Sequence, residues 1–211
     1  MNATHGLKLL AETFNFNEVT EKDYKDATSD QKPFCSYFAY LIDNHTSVIG
    51  LREIVWSNHP LTQTYCLFES ESSITKFKFD AKLIEPPFQF QNNSSEKYRN
   101  RSLLVYPAQS NFNGRKYEFE IIKNVQNQGL TVNTSNEEKQ LKSEWFVCLD
   151  TASFVSTSKL DLAINKPDFL VVSFYKIFGF PTGKFCCFLN YNLINYVKYK
   201  LRNWSFNNQK N

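Results

Sequence analysis

Apolar positions along the chain alternate between two periods. Leu7, Leu10, Ala11 and Phe14 recur at helical spacing within Gly6 to Phe14, after the polar entry Asn2-Ala3-Thr4. Val48, Leu51, Ile54 and Val55 predict a second helix over Ser47 to Trp56. Short apolar runs predict strands at Tyr37 to Ile42, Thr64 to Phe68, Leu103 to Tyr106, Trp145 to Leu149, Phe169 to Ser173 and Phe185 to Leu189. Tyr117 to Gln128 reads as a helix stopped by Gly129, and Asn192 to Trp204 as a terminal helix. Residues 15–33 are polar and loop-like, 70–102 are irregular around Pro86-Pro87 and Gln91 to Ser95, and 131–144 read as polar and exposed. Strands that are continuously apolar and alternate with helices predict an α/β sheet covered on both faces.

Polar residues gather where the predicted strands end, at Asp43 to Ser47, Gln109 to Asn113, Asp150 to Ser153 and Ser173 to Lys176. In open α/β sheets ligands bind beyond the carboxyl ends of strands. The run Ser173-Phe174-Tyr175-Lys176-Ile177-Phe178-Gly179-Phe180-Pro181-Thr182-Gly183 sets a lysine between an apolar strand and a turn rich in glycine and proline. Desolvation among aromatics lowers a lysine pKa, and a neutral amine attacks carbonyls, which suits a lysine that holds an aldehyde cofactor.

Composition narrows the picture further. A net charge of +3, without a basic stripe, argues against nucleic acid as a partner. No apolar stretch approaches the ~20 residues of a membrane-spanning helix. The cysteines Cys35, Cys66, Cys148, Cys186 and Cys187 form no CxxC pair and no zinc spacing, so no metal site is expected. Their odd number and the lack of a secretory signal point to a reducing, cytoplasmic setting. Adjacent Cys186 and Cys187 read as strand residues facing opposite ways. No GxGxxG or P-loop motif is present.

Four segments carry a family resemblance: Asp43-Asn44-His45-Thr46-Ser47-Val48-Ile49-Gly50-Leu51-Arg52-Glu53, Tyr106-Pro107-Ala108-Gln109-Ser110-Asn111-Phe112-Asn113-Gly114, Leu149-Asp150-Thr151-Ala152-Ser153-Phe154-Val155 and the lysine run. In that order the chain resembles the aminotransferase class V portion of the molybdenum cofactor sulfurases and, more distantly, the cysteine desulfurases. The resemblance implies a fold-type I large domain that binds pyridoxal 5'-phosphate, with a mostly parallel mixed sheet and helices on both faces. It implies that Lys176 holds the cofactor as a Schiff base, Asp150 faces the pyridine nitrogen, His45 stacks on the ring and Asn111 bonds the phenolic oxygen. Thr4 and Ser173 are the implied phosphate contacts, and the amino terminus of a helix favours such an anion. Each residue also has an ordinary reading: surface lysine, turn-capping Asp, turn His, Asx-turn Asn, N-cap Thr and packed strand Ser.

The family chemistry so implied takes sulfur from L-cysteine and passes it through a cysteine persulfide to molybdenum cofactor. Tyr175 and Ser153 stand where the desulfurases carry His and Gln, which favours the sulfurase branch over a cysteine desulfurase or selenocysteine lyase. None of the five cysteines matches the family's persulfide position. The family's small domain and its C-terminal molybdenum-cofactor-binding domain are expected to lie outside residues 1–211, so the chain reads as a fragment or as a truncated, inactive paralogue acting as a binding module. Family sites are often built at dimer interfaces, and a homodimer stays open as the assembly.

Overall fold

The computed structural model describes residues 2–16, 36–69, 79–85, 100–134 and 137–179, together with the backbone of 185–189. Its centre is a nine-stranded sheet of strands β1 (Tyr37–Leu41), β2 (Gln63–Glu69), β3 (Phe79–Ile84), β4 (Arg101–Pro107), β5 (Leu130–Asn133), β6 (Glu138–Leu141), β7 (Glu144–Asp150), β8 (Phe169–Ser173) and β9 (Phe185–Leu189). They lie in the order β6-β5-β3-β2-β1-β4-β7-β8-β9. The block from β2 through β1, β4 and β7 to β8 is parallel. Strand β3 runs antiparallel to β2, β6 to β5 and β9 to β8, so the sheet is mixed but mostly parallel.

Strand alternation explains the two cores. In β1, Phe38 and Tyr40 face one side while Tyr37, Ala39 and Leu41 face the other. The first side is covered by α1 (Ala3–Thr13), α2 (Thr46–Ile49) and α3 (Leu51–Asn58), through Leu7, Leu10, Ala11, Val48, Leu51 and Val55. The second is covered by α4 (Glu120–Gln128), through Ile121, Ile122 and Val125. Both faces of the central strands are therefore dry, which is why their sequences read as unbroken apolar runs. Among the described residues no helix is long and apolar enough to cross a membrane.

Three expectations are corrected. The predicted irregular stretch 70–102 contains β3, an edge-side strand that buries only Phe79 fully and so lacks an apolar run. The predicted exposed stretch 131–144 contains β5 and β6, whose Leu130, Val132 and Leu141 face the α4-side core while the intervening residues are polar. The helix expected from Tyr117 starts at Glu120, because the backbone of Tyr117 bonds Ala108 and Lys116 bridges to Gln109. Predicted features at 17–33, 86–99, 180–183 and 192–204, and the side chains of Cys35, Cys186 and Cys187, lie outside the described residues.

Gly129 stops α4 with φ 78° and ψ −171°, a conformation open essentially to glycine alone. A Cβ there would also sit 3.4 Å from Leu141 O. Gly129→Ala is expected to destabilise the fold by about 1–3 kcal/mol, measured as a lowered urea midpoint with an unchanged slope.

Candidate functional site

The parallel strands β1, β4, β7 and β8 are neighbours, so their carboxyl ends open onto one edge. His45 follows β1, Asn111 follows β4, Asp150 ends β7, and Ser173 and Lys176 follow β8. Cys148 and Val171 pack in the α1-side core. Two residues further along their strands, Asp150 and Ser173 point to that same face.

Asp150 is 3% exposed, and its Oδ1 accepts the backbone N–H of Ala152 at 2.9 Å. Burial pushes its carboxyl above the usual range, while the Ala152 bond and the nearby Lys176 and His45 charges pull it back down. An ionised carboxylate this dry calls for a cationic partner.

Lys176 departs from expectation. The sequence suggested a desolvated lysine at the end of a core strand, but β8 stops at Ser173 and Lys176 sits exposed on the short helix α5 (Phe174–Phe178). The Ser173 hydroxyl, 3.5 Å from Lys176 N, caps that helix, and Gly179 closes it at φ 71°. The aromatics expected around the amine stack on each other instead, Phe174 on Phe178 at 5.9 Å between centroids. Lys176 Nζ donates to Asn111 Oδ1 at 2.8 Å, which joins the β8 and β4 ends.

Thr4 and His45 meet through Ser47. Thr4 Oγ1 lies 2.7 Å from Ser47 Oγ, which lies 2.8 Å from His45 Nδ1. Ser173, the other implied phosphate contact, is held by the backbone of Lys176 rather than by this chain. Helix α1, which carries Thr4, packs on β8, α2 and α3.

Several supports escaped the sequence reading. Asn44 Nδ2 donates to Leu41 O and Val105 O, pinning the β1 end to β4. Tyr117 donates to Asp43 Oδ2 at 2.7 Å, and burial together with Asp43 drives its phenol well above the ordinary range. Arg115, in the loop that carries Tyr117, pairs with Glu69 at the end of β2. Ser153 Oγ donates to Gln109 O, which ties the loop after β7 to the loop after β4. The only local signal for these was density of polar residues at strand ends; apart from the Asn44–Leu41 bond, the partners are 44 to 74 residues apart.

The donor set fits pyridoxal 5'-phosphate: a buried carboxylate, a lysine amine held by an amide, an imidazole, and hydroxyls at the head of α1 and the end of β8.

No protein-family model matches the chain. It is 38% identical over 182 residues to a molybdenum cofactor sulfurase of Bombyx mori, covering 85% of this chain and 19% of that protein. It is also 38% identical over 189 residues to a molybdenum cofactor sulfurase of Drosophila melanogaster, covering 86% of this chain and 20% of that protein. The chain thus spans about a fifth of the length of the curated relatives it matches. Among solved structures it resembles C-DES, in a variant with glycine covalently linked to the pyridoxal-phosphate cofactor. The TM-score is 0.58 at 10% identity, over 92% of this chain and 41% of that one. At that identity the likeness shows the fold alone, the mixed, mostly parallel sheet of a fold-type I large domain.

Proposed function

We propose that this chain, similar over most of its length to molybdenum cofactor sulfurases, belongs with that family and binds pyridoxal 5'-phosphate for desulfuration of L-cysteine, the sulfur going on to molybdenum cofactor. The observation that carries the proposal is the Lys176 amine bonded to Asn111 beside the buried Asp150, all at one edge of four parallel strands. When bound, pyridoxal 5'-phosphate supplies an electron-poor ring that takes up negative charge developing at the substrate α-carbon.

Each side chain then has a defined task. The Asp150 carboxylate holds a proton on the ring nitrogen by a charge-assisted hydrogen bond. Asn111 already spends its Oδ1 on Lys176, which leaves its Nδ2 hydrogens for the phenolic oxygen. The imidazole of His45 would cover a ring face and keep water off it. Thr4 and Ser173 offer hydroxyls to the phosphate, helped by the positive end of the α1 dipole. Lys176 would move a proton at the substrate α-carbon. The family's small domain and molybdenum-cofactor-binding domain would complete the enzyme outside these residues. A cytoplasmic setting suits the reduced thiols of Cys66 and Cys148.

The test uses the wild-type chain, loaded with pyridoxal 5'-phosphate and passed through a desalting column. It is expected to keep a near-ultraviolet or visible absorbance that L-cysteine changes and L-serine does not. A chain that emerges colourless overturns the proposal. Retained cofactor that ignores L-cysteine would leave a binding module in its place.

A further inference from the structure

We propose that Ser47 is the positioning residue of this site: it fixes His45 as the Nε2–H tautomer and joins that imidazole to Thr4. The inference deepens the reading above and rests on it for the tasks of His45 and Thr4. Its geometry stands by itself.

The direction of the hydrogens follows from one bond. The backbone N–H of Ser47 donates to His45 Nδ1 at 3.1 Å. An amide N–H only donates, so Nδ1 presents a lone pair and the neutral ring carries its proton on Nε2. Ser47 Oγ lies 2.8 Å from the same bare nitrogen, so that hydroxyl donates to it as well. The hydroxyl hydrogen of Ser47 is then committed, and Thr4 Oγ1, at 2.7 Å, is the donor to Ser47. The hydrogens run from Thr4 to Ser47 to His45.

An ordinary helix cap explains only part of this. His45 is the N-cap of α2, and the cap accounts for the backbone bond. It does not account for a hydroxyl chain that reaches Thr4, 43 residues earlier, in the first turn of α1.

The arrangement has a consequence for anion binding. An anion that takes the hydrogen of the Thr4 hydroxyl leaves Ser47 to turn its own hydrogen toward Thr4. His45 Nδ1 then accepts from the Ser47 backbone alone. The ring remains the Nε2–H tautomer in both states, with Nε2–H as a donor and never an acceptor. Occupancy at the head of α1 is therefore sensed at His45 through a single serine.

Histidine-labelled chain tests this by nitrogen-15 NMR, with only His5, His45 and His59 to assign. His45 is expected to show the Nε2–H pattern. Ser47→Ala should shift its Nδ1 resonance, Ser47→Thr should restore it, and Thr4→Val should shift it the same way by less. Saturating inorganic phosphate should move Nδ1 in the wild type and leave it still in Ser47→Ala. An Nδ1–H tautomer, or an Nδ1 signal indifferent to Ser47→Ala, overturns the relay; a wild-type signal indifferent to phosphate overturns the coupling to Thr4. Cofactor retention measured on the same samples separates the two readings, since a chain that holds no pyridoxal 5'-phosphate but shows the relay sinks only the proposed function.

Discussion

Lys176→Ala is expected to abolish borohydride-fixed labelling of the chain by pyridoxal 5'-phosphate, while Lys116→Ala leaves it at the wild-type level. Borohydride traps only cofactor bound to an amine, so the label reports which lysine holds it. Lys176 is suited by position: its Nζ sits on Asn111 Oδ1, within electrostatic reach of Asp150. Lys116 lies in the loop after β4, but its ammonium rests 5.7 Å above the Phe154 ring. It is therefore the fair control for a nearby amine. Asp150, His45 and the hydroxyls remain in Lys176→Ala, so weak, reversible cofactor binding should persist in equilibrium dialysis. Equal fixed label in Lys176→Ala and wild type would remove Lys176 from the proposed role. Label that moves to a single other lysine would name its replacement.

The parts of this molecule that were legible in its sequence are those whose signal is local. Strands β1, β4, β7 and β8 are dry on both faces, so each appears as an apolar run and each was found within two residues at either end. Because ligand groups follow such strands, the polar residues after them pointed to one edge before any topology was known. Strands β5 and β6 were not legible. They bury one face only, and three apolar side chains among polar ones do not stand out from a loop. Lys176 shows the limit from the other side. Its place in the chain was readable, but its exposure was not, because it depends on Ser173 capping a helical turn rather than extending the strand. Ser47, Tyr117 and Asp43 were hidden for a simpler reason. A hydrogen bond across 43 or 74 residues leaves no periodicity to read.

Asp150→Asn is expected to stabilise the cofactor-free chain and to weaken cofactor binding at once. Burial raises the folded-state pKa of Asp150 above the ordinary carboxylate value of about 3.9. For a raised carboxyl, the folded chain holds the proton more tightly than the unfolded one. The resulting stability is fully present below the unfolded pKa and is lost as pH rises through the folded pKa. Near neutral pH the ionised carboxylate is thus a cost to the cofactor-free fold. Asparagine removes the charge and keeps Oδ1 for the Ala152 N–H. The expected gain is on the order of 1 kcal/mol at pH 7, read from urea unfolding, and it should shrink as the pH falls toward about 4. The same change removes the anionic partner for a ring nitrogen. A hydrogen bond to a charged group contributes about 1.5–3 kcal/mol, so affinity for pyridoxal 5'-phosphate should fall roughly ten- to a hundredfold. A loss of stability at pH 7 would show that the carboxylate is satisfied within the protein alone. Unchanged cofactor affinity would show that Asp150 does not face the ring. The effect on the cofactor sets this apart from a structural carboxylate such as Asp168, which accepts from Gln126 and from the backbone of Val147 and whose replacement by Asn should leave cofactor affinity unchanged.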